Sequence, residues 1–179
     1  ILGRLVGSEM CIRDRLKRDR KYQSAESVAA AYDAWTDDRL LERLWGDHVH
    51  LGHYGDPPRR QDFREAKAAF VHELVRWSGL DQLPAGSKVL DVGCGIGGSA
   101  RILARDYHLD VVGISISPAQ IARATELTPQ GLSCRFEVMD ALDLQMADHS
   151  FDAVWSVEAG PHMPCLLYTS DAADESSSV

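Results

Sequence analysis

Val89–Gly98, VLDVGCGIGG, decides the fold. Three apolar residues surround Asp91, and Gly93, Gly95, Gly97 and Gly98 follow in quick succession. The pattern predicts a buried strand over 88–92 that ends in a tight glycine turn and opens into a helix, SARILARDY, over 99–107. Glycine permits positive φ and lets the backbone approach a ligand where a Cβ would clash. The free N–H groups at the start of the helix favour electron-rich atoms. The stretch therefore reads as a cofactor site of the nucleotide-binding kind.

Gly93, Gly95 and Gly98 also satisfy G-x-G-x-x-G, the dinucleotide fingerprint. Asp91 argues against a dinucleotide: a carboxylate two residues before the first glycine repels a pyrophosphate but suits an ammonium. The next strand, LDVVGIS, ends in Ser115 instead of the acid that usually holds an NAD ribose.

Outward from this stretch, strand and helix alternate. Strands are expected over 110–114, 133–138 and 151–157, and a helix runs from Pro118 to about Leu127 behind Ser117 as N-cap. Such alternation implies right-handed βαβ units with the ligand at the carboxyl ends of the strands. Upstream, one helix is expected from Ser24 or Ser27 to Trp45, and a second over 62–78 with Phe63, Ala66, Phe70, Leu74 and Trp77 facing the core and Gly79 as its stop. Between them GDHVHLGHYGDPP (46–58) is a loop. Its His48, His50 and His53 could suggest zinc, but no fourth ligand is evident, so the loop is read as a cover for the cofactor and no metal is expected. The fold class is α/β, a Rossmann-like arrangement of N-terminal helices followed by the first four strands of a mostly parallel sheet.

Each strand end carries a polar candidate. Asp91 and the glycines follow the first. Ser115, with Gln120 one turn into its helix, follows the second and offers hydrogen bonds to ribose hydroxyls. Asp140 and Ala141 follow the third, where a carboxylate can accept from an adenine amino group. Ser156, Glu158 and His162 follow the fourth, facing the place of a methyl acceptor.

The 179 residues are 45% hydrophobic and 26% charged, which suits a soluble domain with a real core. A net charge of −8 gives no basic footprint for nucleic acid, and no apolar run reaches transmembrane length. Cys11, Cys94, Cys134 and Cys165 lack metal-site spacing and are read as reduced cytosolic thiols. The two ends stand apart. Codons for Met10–Arg15 have a reverse complement that, out of frame, encodes Cys165–Thr169, so residues 1–15 and 165–179 are expected to be translated sequencing adapters on a metagenomic read. That leaves an N-terminal helical region with the covering loop (16–87) and a partial cofactor-binding domain (88–164), a fragment expected to be inactive alone.

D-x-G-x-G-x-G resembles motif I of the class I S-adenosylmethionine (SAM) methyltransferases. With YQSAESVAAAYDAWTDDRLLERLWGDHVHLGHYGDPP (22–58), VVGISISPAQIARATELTP (111–129) and FDAVWSVEAGPHMP (151–164), the chain resembles the methyltransferases of tocopherol synthesis, in the branch acting on prenylated hydroquinones. The resemblance implies SAM as cofactor, held by Asp91, Gly93, Gly95, Ser115, Gln120, Asp140 and Ala141, with Gly97 and Ser156 added to the cofactor-facing set. It also implies a lipophilic quinol as substrate, and the cytoplasmic face of a membrane as location. A phenol is a better carbon nucleophile as its anion, so a base should help, and Glu158 and His162 are the candidates for that role. Competing readings are O-methylation of a tocopherol, methylation of a sterol or other lipid, a SAM- or nucleotide-binding module without catalysis, and an NAD-linked oxidoreductase.

Overall fold

The computed structural model describes residues 25–160 and residue 163. The terminal segments read as adapters lie outside the described residues. Elements follow in the order α1 (Ala25–Asp37), α2 (Leu40–Trp45), α3 (Phe63–Ser78), β1 (Lys88–Val92), α4 (Gly98–Asp106), β2 (Asp110–Ser115), α5 (Pro118–Leu127), β3 (Cys134–Val138) and β4 (Ala153–Trp155). The four strands form one parallel sheet in the order β3-β2-β1-β4, so the chain winds outward from β1 in both directions. That order places the β1 and β4 ends beside each other at the switch point, where open α/β sheets hold ligands.

Local chemistry explains most boundaries. Asp62 caps α3 through the Arg64 and Glu65 amides, and Gly79 ends it in the left-handed region. Ser117 caps α5, and Asp33 of α1 accepts from the Ser117 hydroxyl and the Ala119 amide, which puts a carboxylate on the positive end of that helix. Val71, Val75, Val89, Leu103, Leu109 and Val111 form the main core between helices and sheet, and Leu90, Val112 and Ile114 fill the other face.

Three expectations are corrected. The helix expected up to Trp45 is two helices, divided at Arg39, which stands at φ 53. Asp37 and Asp38 crowd the carbonyl end of α1, whose last turn has no basic residue to oppose them. On α3 the buried residues are Ala66, Lys67, Val71 and Val75, and Trp77 is 85% exposed. An apolar helical stripe is wide, and packing against the sheet, not hydrophobicity alone, selects which edge is innermost. The fourth strand is shorter than expected, three residues instead of 151–157.

β4 pairs only with β1 among the described residues and carries Val154 on its surface, 64% exposed. An unpaired apolar edge is a template for another chain. The chain as given is expected to self-associate through β4, and Val154→Lys to shift it toward monomer; sedimentation of both forms checks this, and an unsubstituted chain that sediments as a monomer contradicts it.

Candidate functional site

The glycine turn is stapled to β2: the Gly93 and Cys94 amides both donate to the Ile114 carbonyl at 3.0 Å. Gly93, Gly95 and Gly97 all take positive φ, as the sequence required. Above the turn lies a cavity of about 210 Å³, lined by the turn, the ends of β2, β3 and β4, and the loop over 47–50. Asp91, Gly93, Gly95, Ser115, Gln120, Asp140, Ala141 and Glu158 all line it, as do Tyr32 and Met163. A Cβ at Gly95 would meet no protein atom, so the backbone there is bare toward open space.

Asp91 is the electrostatic centre of this cavity. It is 2% exposed, and its Oδ2 has no hydrogen-bond partner. Burial pushes its carboxyl up to about 7. A buried carboxylate without a partner is costly, and a cation or donor brought by a ligand would relieve it. At the next strand end, the Ser115 hydroxyl donates to Gln120 Oε1 at 2.8 Å, so the two form one unit, and the Gln120 amide nitrogen remains to meet a ligand. Asp140 Oδ1 accepts from the Leu142 amide at 2.9 Å, which fixes the turn after β3.

Two members of the expected set do not line this cavity. Gly97 is the N-cap of α4, and the space a Cβ would need is filled by Phe136 and Arg101, while Gly98 lies at the cavity wall. Ser156 bonds back to the Val92 carbonyl and lines a separate hollow with Val92, Val154 and Gly160. Alternation along the strand turns it to the opposite face from Trp155. Of the two proposed bases, Glu158 lines the cavity, but its Oε1 accepts from the Leu51 amide at 3.0 Å and so ties the covering loop to the end of β4. His162 lies outside the described residues.

Local patterns gave the loop as a cover but not how it is fastened. Arg101 of α4, buried, donates to the Ile96 carbonyl at 2.7 Å and to Asp47 Oδ2 at 2.9 Å. Lys67 of α3 donates to the His48 carbonyl at 2.7 Å and the Trp45 carbonyl at 3.1 Å. Asp47 and His48 then lie against Gly98, where a Cβ would overlap the Asp47 carbonyl oxygen. Tyr32, from α1, reaches the same cavity and was not anticipated as a site residue; only the long-range packing of α1 on α5 places it there. Among the described residues no cluster of histidine, cysteine or acidic side chains has the make-up of a metal site.

Residues 89–169 match the family described as a methyltransferase domain. The chain is 63% identical over 145 residues to the 2-methyl-6-phytyl-1,4-hydroquinone methyltransferase of Synechocystis, covering 81% of this chain and 46% of that protein. It is 42% identical over 136 residues to the chloroplastic tocopherol O-methyltransferase of Arabidopsis thaliana, covering 70% of this chain and 39% of that protein. It spans less than half the length of these relatives. The magnesium protoporphyrin IX methyltransferase of Synechocystis with bound SAM superposes with a TM-score of 0.58 at 22% identity, over 83% of this chain and 67% of that one. The fold is that of the class I SAM-dependent methyltransferases, as the glycine turn and strand order imply.

Proposed function

We propose that the cavity above the glycine turn binds SAM and that the protein methylates a ring carbon of a prenylated hydroquinone. The observation that carries the cofactor assignment is the buried Asp91 oxygen without a partner at the lip of β1. An ammonium group would neutralise it, whereas a pyrophosphate would be repelled. The residues fit the cofactor in other respects. Bare backbone at Gly95 admits close approach, the Ser115–Gln120 pair would meet ribose hydroxyls, and Asp140 is a carboxylate acceptor for an adenine amino group.

When bound, SAM supplies an electrophilic methyl group on a sulfonium, so little acid–base chemistry is needed to activate the donor. The chain's own task is alignment and exclusion of water. The covering loop, held by Arg101, Lys67 and Glu158, closes the cavity on the side of α4. Met139, Leu142 and Met163 give that cavity an apolar wall suited to a prenylated ring. The similarity to the hydroquinone methyltransferase favours C-methylation, and the O-methylating relative is the competing reading. No described helix is long and apolar enough to cross a membrane; the similarity to proteins named for phytyl-hydroquinone and tocopherol methylation supports a lipophilic acceptor, met at a membrane surface.

Titration calorimetry with S-adenosylhomocysteine, methylthioadenosine and NAD tests the cofactor assignment. Binding of S-adenosylhomocysteine, with clear loss for methylthioadenosine, which lacks the amino acid, supports it; heat from NAD alone overturns it. Product analysis of the longer protein to which this fragment belongs, incubated with SAM and 2-methyl-6-phytylhydroquinone or γ-tocopherol, then separates ring from oxygen methylation, and retained binding with no transfer there would leave only a binding module.

A further inference from the structure

His48 and His50 lie on the covering loop within hydrogen-bond distance of each other, His50 Nε2 to His48 Nδ1 at 3.1 Å. Both line the cavity. The other nitrogen of His50, Nδ1, is 2.7 Å from the Leu51 carbonyl oxygen. A carbonyl only accepts, so His50 Nδ1 carries the hydrogen. In the neutral ring Nε2 is then the acceptor, and His48 must donate from Nδ1. His48 Nε2 is left with a bare lone pair. One backbone carbonyl thereby sets the tautomers of two rings in series.

On the reading that this site methylates a hydroquinone, we propose that His48 Nε2 is the general base, with His50 as the positioning residue that sets its tautomer. The sequence offered Glu158 and His162 for this task. Glu158 is committed to the Leu51 amide, and its carboxylate faces His50, where it favours a positive charge on the pair. Burial holds His48 down to about 4 and His50 below its usual value, so both rings are neutral near pH 7. Asp47 opposes this shift at His48, while Arg101 and Lys67 reinforce it.

A base this weak does not ionise a resting phenol. It need not. As the ring carbon forms its bond to the methyl group, the C–S bond pair returns to sulfur and the hydroxyl becomes strongly acidic. Its proton then passes to His48 Nε2, and the O–H pair becomes the C=O bond of a dienone. His48 Nδ1 can pass its own proton to His50 Nε2, which moves the charge toward Glu158. When the ring carbon's hydrogen leaves as a proton to water, the electron pair restores the aromatic ring, and the proton held by the pair returns to oxygen. One proton is released overall.

Nitrogen-15 spectra of histidine-labelled full chain test the tautomers without any ligand. Both rings are expected as Nδ1–H; an Nε2–H signal from His48 overturns the assignment. In turnover by the longer protein to which this fragment belongs, His48→Gln should lower methyl transfer to the hydroquinone about 10²-fold, the usual worth of a positioned base. S-Adenosylhomocysteine affinity should stay within about threefold, which shows an intact site. With a ring-halogenated hydroquinone that ionises unaided, the loss should shrink to about fivefold or less, since little proton transfer remains to be catalysed. An equal loss with both acceptors, or loss of S-adenosylhomocysteine binding, overturns the base role. The longer protein to which this fragment belongs overturns the functional reading itself, and the base role with it, if it binds S-adenosylhomocysteine but methylates neither hydroquinone.

Discussion

Replacing Asp91 with asparagine should make the ligand-free protein more stable above neutral pH and, in the same variant, remove most of its affinity for S-adenosylhomocysteine. Both effects come from one buried oxygen. Its carboxyl stands at about 7 against an unperturbed 3.8, because burial disfavours the charged form. The folded state therefore holds the proton more tightly than the unfolded chain does. Its advantage is complete below the unfolded value near 4 and is lost as pH rises through about 7. At about 1.4 kcal/mol per pH unit, the ionised carboxylate costs at most about 4 kcal/mol at pH 8. Asparagine keeps the shape and removes the charge, so the gain in thermal midpoint should be large at pH 8 and vanish near pH 4. Binding should weaken about 10- to 100-fold, the worth of a charged hydrogen bond. The unsubstituted protein should also release a proton when S-adenosylhomocysteine binds below pH 7, because the arriving ammonium lowers the carboxyl's pKa. Calorimetry in two buffers of different ionisation enthalpy counts that proton. A variant that binds normally, or whose gain in thermal midpoint over the unsubstituted protein is no larger at pH 8 than at pH 4, would contradict the role given to Asp91.

The parts of the fold that could be read from the sequence are those set by neighbours along the chain. The turn at Gly93–Gly98, the cap at Ser117 and the stop at Gly79 each depend on a few adjacent residues, and each appears where the pattern put it. What could not be read depends on contacts between distant segments. Glycine spacing shows that a turn exists, but not which Cα faces the ligand. Gly97 is crowded by Phe136, and Gly98, not among the expected cofactor residues, stands at the cavity wall. The histidines at 48 and 50 were legible as a cover, yet their order as a hydrogen-bonded pair needed the Leu51 carbonyl in three dimensions. Trp77 satisfied the helical period and still ended in solvent, because the period fixes a face only to within the width of a stripe.

Gly98→Ala separates local preference from long-range contact, and the two predict opposite signs. Gly98 is the first residue of α4 and has no positive φ, so alanine there should favour the helix by up to about 1 kcal/mol. A Cβ at that point, however, would overlap the Asp47 carbonyl oxygen and come within 2.8 Å of His48 Cε1 and Nδ1. Backbone cannot swing aside as a flexible side chain can, so the loop must lift. Its fastenings would then loosen together: Arg101 to Asp47, Lys67 to the His48 carbonyl, and the Leu51 amide to Glu158. Hydrogen exchange should therefore quicken at the Leu51 and His53 amides, which bond to Glu158 and to the Ala66 carbonyl, while the amides of β1 and β2 stay protected. In the longer protein to which this fragment belongs, methyl transfer should fall about 10²-fold even though no side chain that touches the ligand has changed, since misplacement of about 1 Å is enough for that. If instead the Leu51 and His53 amides exchange as before and the thermal midpoint rises, helix preference has won. The loop is then not seated by Gly98, and the enclosure of the cavity must come from elsewhere.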